Sequence, residues 1–220
     1  MPAGTKVVSV IATAVTGLVL CTTQPARADD AAEQYVAQNA THAIELLDSA
    51  GAAAERSTKF GELMDQFADM PGIADFVLGA YARTLRADPA LKAEWNGAFR
   101  AYAINMYERS FNDLRDSSVQ VTGSRDWQVN GRTCSRVATD MKLKSREPSK
   151  YFWYLCKEAS DADWKVTDVG VLKGDSELKL TITLRDQFVA FLGANSGNVR
   201  ALIARLNTQL ATMGKIASKD

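Results

Sequence analysis

Trp127-Gln128-Val129-Asn130-Gly131-Arg132, followed by Arg136-Val137-Ala138-Thr139-Asp140-Met141-Lys142-Leu143, is the stretch that decides the fold. Asn-Gly is the dipeptide best suited to a two-residue type I′ hairpin, because both of its central positions need positive φ. On the returning side Val137, Thr139, Met141 and Leu143 alternate with Arg136, Ala138, Asp140 and Lys142, a period of two that predicts a half-buried strand. Val119 and Val121 extend the outgoing strand. Beyond a polar loop holding Pro148, Tyr151-Phe152-Trp153-Tyr154-Leu155-Cys156 is apolar on both faces, which predicts a strand covered on both. Trp164 to Leu172 is a further strand, and Lys173-Gly174-Asp175 a turn. Leu178, Leu180, Ile182 and Leu184 then alternate with Lys179, Thr181, Thr183 and Arg185, which favours one more strand over 178–184, a helix being the alternative.

On either side of this block the apolar period becomes helical. Behind Asp29 and Asp30, Val36, Ala40, Ala43, Leu47 and Ala50 make one stripe, ending at Gly51. Phe60, Leu63, Met64 and Phe67 mark a short second helix, and Pro71 fits the first turn of a third carrying Ile73, Phe76, Val77, Ala80 and Tyr81. Asp88-Pro89 opens the longest helix, with Leu91, Trp95, Phe99, Tyr102, Met106 and Ser110 along it. Downstream, Phe188, Val189 and Leu192 precede Gly193, and Asn198 caps a last helix of Leu202, Ile203, Leu206 and Leu210 with Gly214 beyond its end. Gly193 to Gly197 reads as the turn between these helices. The expected fold class is α+β, an antiparallel sheet of about four to five strands packed on helices.

The first residues predict export. Lys6 precedes an apolar run from Val7 to Leu20, then Pro25 and Ala26-Arg27-Ala28. A positive start, a short apolar stretch and small residues at −3 and −1 are the marks of a cleaved secretory signal peptide. The expected organisation is a signal peptide over 1–28 and a single domain over 29–220. The run is shorter than the roughly 20 apolar residues of a membrane anchor. Leu20, bulky before Cys21, argues against lipidation. The chain holds 26 basic and 26 acidic residues, so losing Lys6 and Arg27 leaves net −2, against a nucleic-acid partner. Cleavage would also leave two cysteines, Cys134 and Cys156. In an oxidising compartment they are expected to form one disulfide, two buried free thiols being the alternative.

Catalytic chemistry has little to work with. His42 is the one histidine, set beside Ala43 and Ile44 on an early helix, where a structural or surface role is expected. There is no nucleophile elbow, phosphate loop or zinc-binding helix, and neither a metal nor a cofactor is expected. Asn39-Ala40-Thr41 matches a glycosylation sequon but falls inside a predicted helix. The distinctive feature is the ring and methionine surface on the long helix and the sheet. Either these faces interlock as ordinary core, or they stand apart around a dry cavity. The predicted lining of such a cavity is Phe76, Val77, Tyr81, Phe99, Tyr102, Met106, Val137, Met141, Trp153, Val169 and Phe188. Apolar pockets with few polar groups suit acyl chains.

Three blocks together resemble the MlaC family of periplasmic lipid-carrier proteins, also described as toluene-tolerance or ABC-transporter auxiliary proteins. They are Phe67 to Tyr81 with its Leu78-Gly79 pair, the aromatic helix from Trp95 to Tyr107, and Trp164-Lys-Val-Thr-Asp-Val169 with Gly174, Ser176, Arg185-Asp-Gln-Phe188, Leu202, Ile203 and Leu206. The interval before Arg185 is longer than usual for the family, and Tyr81-Ala82 stands where tryptophan is common. Both departures are reminiscent of its hopanoid-associated branch. The resemblance implies an NTF2-like sheet with extra helices around an apolar cavity, and no catalysis. It also implies a role carrying phospholipid or a related lipid between an outer-membrane lipoprotein complex and an inner-membrane MCE–ABC transporter. An exported interaction or assembly module with a filled core is the rival expectation. An enzyme such as a cone-shaped α+β cyclase stands third.

Overall fold

The computed structural model describes residues 30–49, 53–112, 117–142, 149–158 and 163–217; the expected signal peptide lies outside them. In chain order the elements are α1 (Asp30–Asp48), α2 (Ala53–Phe67), α3 (Met70–Val77), a 3-10 turn (Gly79–Tyr81), α4 (Ala82–Leu85), α5 (Pro89–Asn112), β1 (Ser118–Val129), β2 (Arg132–Lys142), β3 (Ser149–Lys157), β4 (Lys165–Lys173), β5 (Ser176–Lys179), α6 (Leu180–Ala194) and α7 (Val199–Ala217). The five strands form one antiparallel sheet in the order β1-β2-β3-β4-β5, so the predicted α+β class holds. Among the described residues, no helix is long and apolar enough to cross a membrane.

The hairpin turns as its dipeptide requires, with φ of 50° at Asn130 and 78° at Gly131. Register on the next pair places Val137 opposite Trp153 and Cys134 directly opposite Cys156, and these two cysteines are bonded, 22 residues apart in sequence. β1 slips its register between Val121 and Gly123, the latter at φ 140°, so the outer strand carries a bulge in mid-length.

Helix starts follow the side chains that cap them. Asp69 accepts the Gly72 N–H at 3.0 Å with Pro71 in the first turn of α3, and Asp88 accepts the Leu91 N–H at 2.9 Å. Asn198 does the same for α7 through the Ala201 N–H at 3.1 Å. That helix runs past Gly214 to Ala217, beyond the end expected at the glycine.

The predicted strand over 178–184 is corrected. Only Ser176–Lys179 pairs with β4, and the chain is helical from Leu180. Lys179, the residue before the helix, makes no capping bond; instead the Asp168 carboxylate on β4 accepts the Thr181 N–H at 3.0 Å. The residues α6 buries are Thr181, Leu184, Phe188 and Leu192, spaced three and four apart. The helix-facing side of β3 is buried as expected at Trp153 and Leu155. Its other side is covered by side chains of the sheet itself, with the Arg136 guanidinium 3.7 Å from the Phe152 ring centroid and Lys179 Nζ 3.7 Å from that of Tyr154.

Candidate functional site

A hollow of about 80 Å³ lies between the first two helices and the sheet, and its wall is almost wholly carbon. α1 contributes Asn39, Ala40 and Ala43; α2 contributes Phe60, Leu63, Met64 and Phe67. Tyr151 and Trp153 of β3, with Val166 and Val169 of β4, form the facing wall, and Ile73, Tyr107 and Leu180 close the ends. The room comes from size: on the buried stripe of α1, Val36 and Leu47 flank two alanines, whose methyls leave the space larger side chains would fill.

The polar end of Trp153 is occupied elsewhere, which leaves its carbon to the wall. Trp153 Nε1 donates to Thr139 Oγ1 at 2.9 Å inside the sheet. Phe67 stacks on Tyr35 with centroids 5.5 Å apart and meets Trp153 edge-on at 5.7 Å. The Tyr35 hydroxyl donates to the Phe67 carbonyl at 3.3 Å, and burial, with the Asp163 charge adding, pushes its pKa up to about 12. Three ionisable groups line the cavity: Tyr107, Tyr151 and Asp168. Burial raises the Tyr107 phenol far above its ordinary value, with the Asp168 charge adding to the shift. Burial also raises the Asp168 carboxyl, against the pull of the N–H groups of Thr181 and Val169.

A second cavity of about 330 Å³, less wholly carbon-walled than the first, adjoins it, and Ile73 and Asp168 belong to both. Its other walls are Asp69, Gly72 and Phe76 from α3 and its cap, Arg132, Tyr154 and Thr167 from the sheet, and Lys179, Thr181 and Ile182 at the start of α6. Tyr154 is held in place because its hydroxyl donates to Glu177 at 2.6 Å and accepts from Arg136 Nε at 3.2 Å.

Of the residues predicted from sequence, Trp153 and Val169 stand on the wall of the first cavity and Phe76 on that of the second. Phe99, Tyr102 and Phe188 lie together elsewhere, joined with Trp95 in a cluster of rings 5.6 to 6.5 Å apart, centroid to centroid. Val77 and Val137 are fully buried, and Met141 packs with Ile44. Met106 is half-buried against the core, and the half-buried Tyr81 ring lies beside Gly197. The first half of α5 therefore meets α6 in close packing, and the hollow opens nearer its other end, at Tyr107. The α1 and α2 lining was missed because an alanine in a helical stripe reads as neutral. The available signal was the pair Ala40 and Ala43 on the buried face of α1. His42 is exposed and borders neither cavity, and among the described residues no group of three His, Cys, Asp or Glu side chains could hold a metal ion.

No curated protein matches this sequence. Among solved structures, the phospholipid-binding protein of Ralstonia solanacearum, determined in complex with a phospholipid, superposes with a TM-score of 0.63. It is 19% identical, and the match covers 86% of this chain and 99% of that one, so the two share a fold. The family model for the MlaC protein matches residues 34–208, a span that takes in both cavities, every strand and the helices from α2 to α6, and the chain therefore belongs to the MlaC family.

Proposed function

We propose that this protein is a periplasmic lipid carrier that catalyses no reaction. It buries acyl chains in the apolar cavity and passes lipid between an outer-membrane lipoprotein complex and an inner-membrane MCE–ABC transporter. The carbon-walled hollow between α1, α2 and the sheet carries this reading. Membership of the MlaC family and a fold shared with a protein solved with phospholipid support it. The physical need is plain, since each CH₂ left in water costs about 0.8 kcal/mol, so a tail crossing an aqueous gap must be covered along its length. At about 80 Å³ the hollow is smaller than the roughly 300–1,000 Å³ usual for ligand pockets, so loading has to widen it. Trp153, Val169, Ala40 and Ala43 are the tail-contacting residues in this reading.

Solvent extraction and mass spectrometry of protein never exposed to detergent test it. Wild-type protein should yield stoichiometric lipid, and Ala43→Leu, which fills the space beside Trp153, should yield several-fold less while keeping its circular dichroism spectrum. The small hollow is also what the rival, an exported assembly module with a filled core, requires. That rival holds if the wild type carries no lipid and a fluorescent fatty acid fails to bind it with saturation.

A further inference from the structure

The wall of the hollow between α1, α2 and the sheet holds few polar side chains, and all but one are already engaged. Asn39 donates its amide to the Tyr35 carbonyl at 2.8 Å, and Trp153 its indole N–H to Thr139. Asp168 accepts the Val169 and Thr181 N–H groups, and Tyr151, packed beside Ile44 and Met141, has an interaction of its own. Tyr107 is the exception. Its side chain is buried, 8% exposed, yet its hydroxyl makes no hydrogen bond to any described residue. Nor is its oxygen sealed inside the core, so it faces the open space of the hollow that its ring lines. Leaving a buried hydroxyl unmatched is costly, and a donor turned into a ligand-sized space is matched by an acceptor that arrives with the ligand.

Position decides what kind of acceptor that is. Tyr107 is close enough to Asp168 to feel its charge, and Asp168 stands where the hollow meets the second cavity. The donor is therefore at the end by which tails enter, not at their tips. The same carboxylate disfavours an anionic oxygen beside it, which leaves a neutral one. In a two-tailed lipid the neutral oxygens closest to the hydrocarbon are the ester carbonyls, carried on the first carbon of each acyl chain. We propose that Tyr107 is a specificity-determining residue whose hydroxyl donates to an ester carbonyl of the bound lipid, so that the protein takes up ester-linked tails in preference to ether-linked tails of the same length. The proposal rests on the carrier reading and adds to it the linkage that the cavity recognises. An ether lipid fills the same space but has no carbonyl to offer, and the phenol stays unmatched.

The delipidated full chain is offered equal amounts of dipalmitoyl phosphatidylcholine and its dihexadecyl ether counterpart in mixed vesicles, and mass spectrometry reads the ratio taken up. Wild-type protein should favour the ester about tenfold, the worth of one buried hydrogen bond. Tyr107→Phe removes the oxygen and keeps the ring, and it should bring the ratio close to one. Ether uptake and the melting temperature of the lipid-free protein should not fall, because the hydroxyl bonds nothing among the described residues. With the ester carbonyls isotope-labelled, infrared spectra of wild type should show a bound-lipid component at lower frequency than in hexadecane, and that component should be missing from Tyr107→Phe. The proposal is overturned if the folded variant keeps the wild-type ratio, or if the shifted component persists in it. It is also overturned if wild type alone shows no shifted component, a result that needs no variant to fold. Uptake of both lipids by wild type without preference sinks this proposal and leaves the carrier reading standing, whereas uptake of neither sinks both.

Discussion

Asp168 does several jobs with one carboxylate. It walls both cavities and accepts the Val169 N–H at 2.8 Å and the Thr181 N–H at 3.0 Å. Its pKa is raised, chiefly by desolvation, so the charged form fits the folded state less well than the unfolded one. A carboxyl group raised in this way contributes stability that is complete below its unfolded pKa, about 3.9, and is lost as pH climbs through the folded value. Asp168→Asn keeps an oxygen for Thr181 and does not titrate. Urea midpoints should therefore favour wild type over the variant most near pH 3 and shift towards the variant by pH 7. A wild-type advantage that grew with pH would mean that the amide donors outweigh burial. At this scale the sequence was a partial guide. Cap residues such as Asp88 and Asn198 were readable, because a short polar side chain before an apolar stripe has one obvious use. Asp168 was not, because its role depends on Thr181, thirteen residues later and on another element.

Among the elements, α6 shows how two periods can share residues. Leu180 and Leu184 suit a helix as well as they suit a strand, and the alternation from Leu178 to Leu184 satisfied both templates. Once the ladder to β4 stops at Lys179, the helix wins, since it buries Leu184, Phe188 and Leu192 together. The cost falls on Leu178 and Ile182, left 43% and 40% exposed, which the strand pattern would have placed on the buried side. The hairpin of β1 and β2 was legible because its turn chemistry and its alternation agree. The disulfide that crosses from β2 to β3 closes a loop of 22 residues, and in the chain-entropy account such a closure contributes about 3 kcal/mol. Cys134→Ser with Cys156→Ser should lower the urea midpoint by about that much free energy. Adding reductant to the wild type should reproduce the loss, while reductant should leave the double variant where it was.

For the molecule as a whole, the layer architecture was legible and the location of its hollow was not. Ring content alone cannot tell rings that enclose a space from rings that fill one. Trp95, Phe99, Tyr102 and Phe188 fill it, while the vacancy appears where α1 offers only Ala40 and Ala43 to the sheet. A carrier that swells to load gains its ligand's contacts only in the folded state, so lipid should raise global stability. Protein stripped of lipid should melt lower than protein as purified and recover on reloading, a ligand at a hundred times its Kd contributing about 2.7 kcal/mol. Equal melting temperatures for the stripped and loaded forms would count against any ligand in the hollow.

The bulge in β1 and the brevity of β5 bear on what happens when such a molecule stands open. Both margins of the sheet are poor templates: one is kinked at Gly123, and the other offers four residues before it coils away. In the proposed carrier role, which would expose greasy lining during transfer, such margins spare the protein a second hazard, the stitching of one copy's free amides to those of the next.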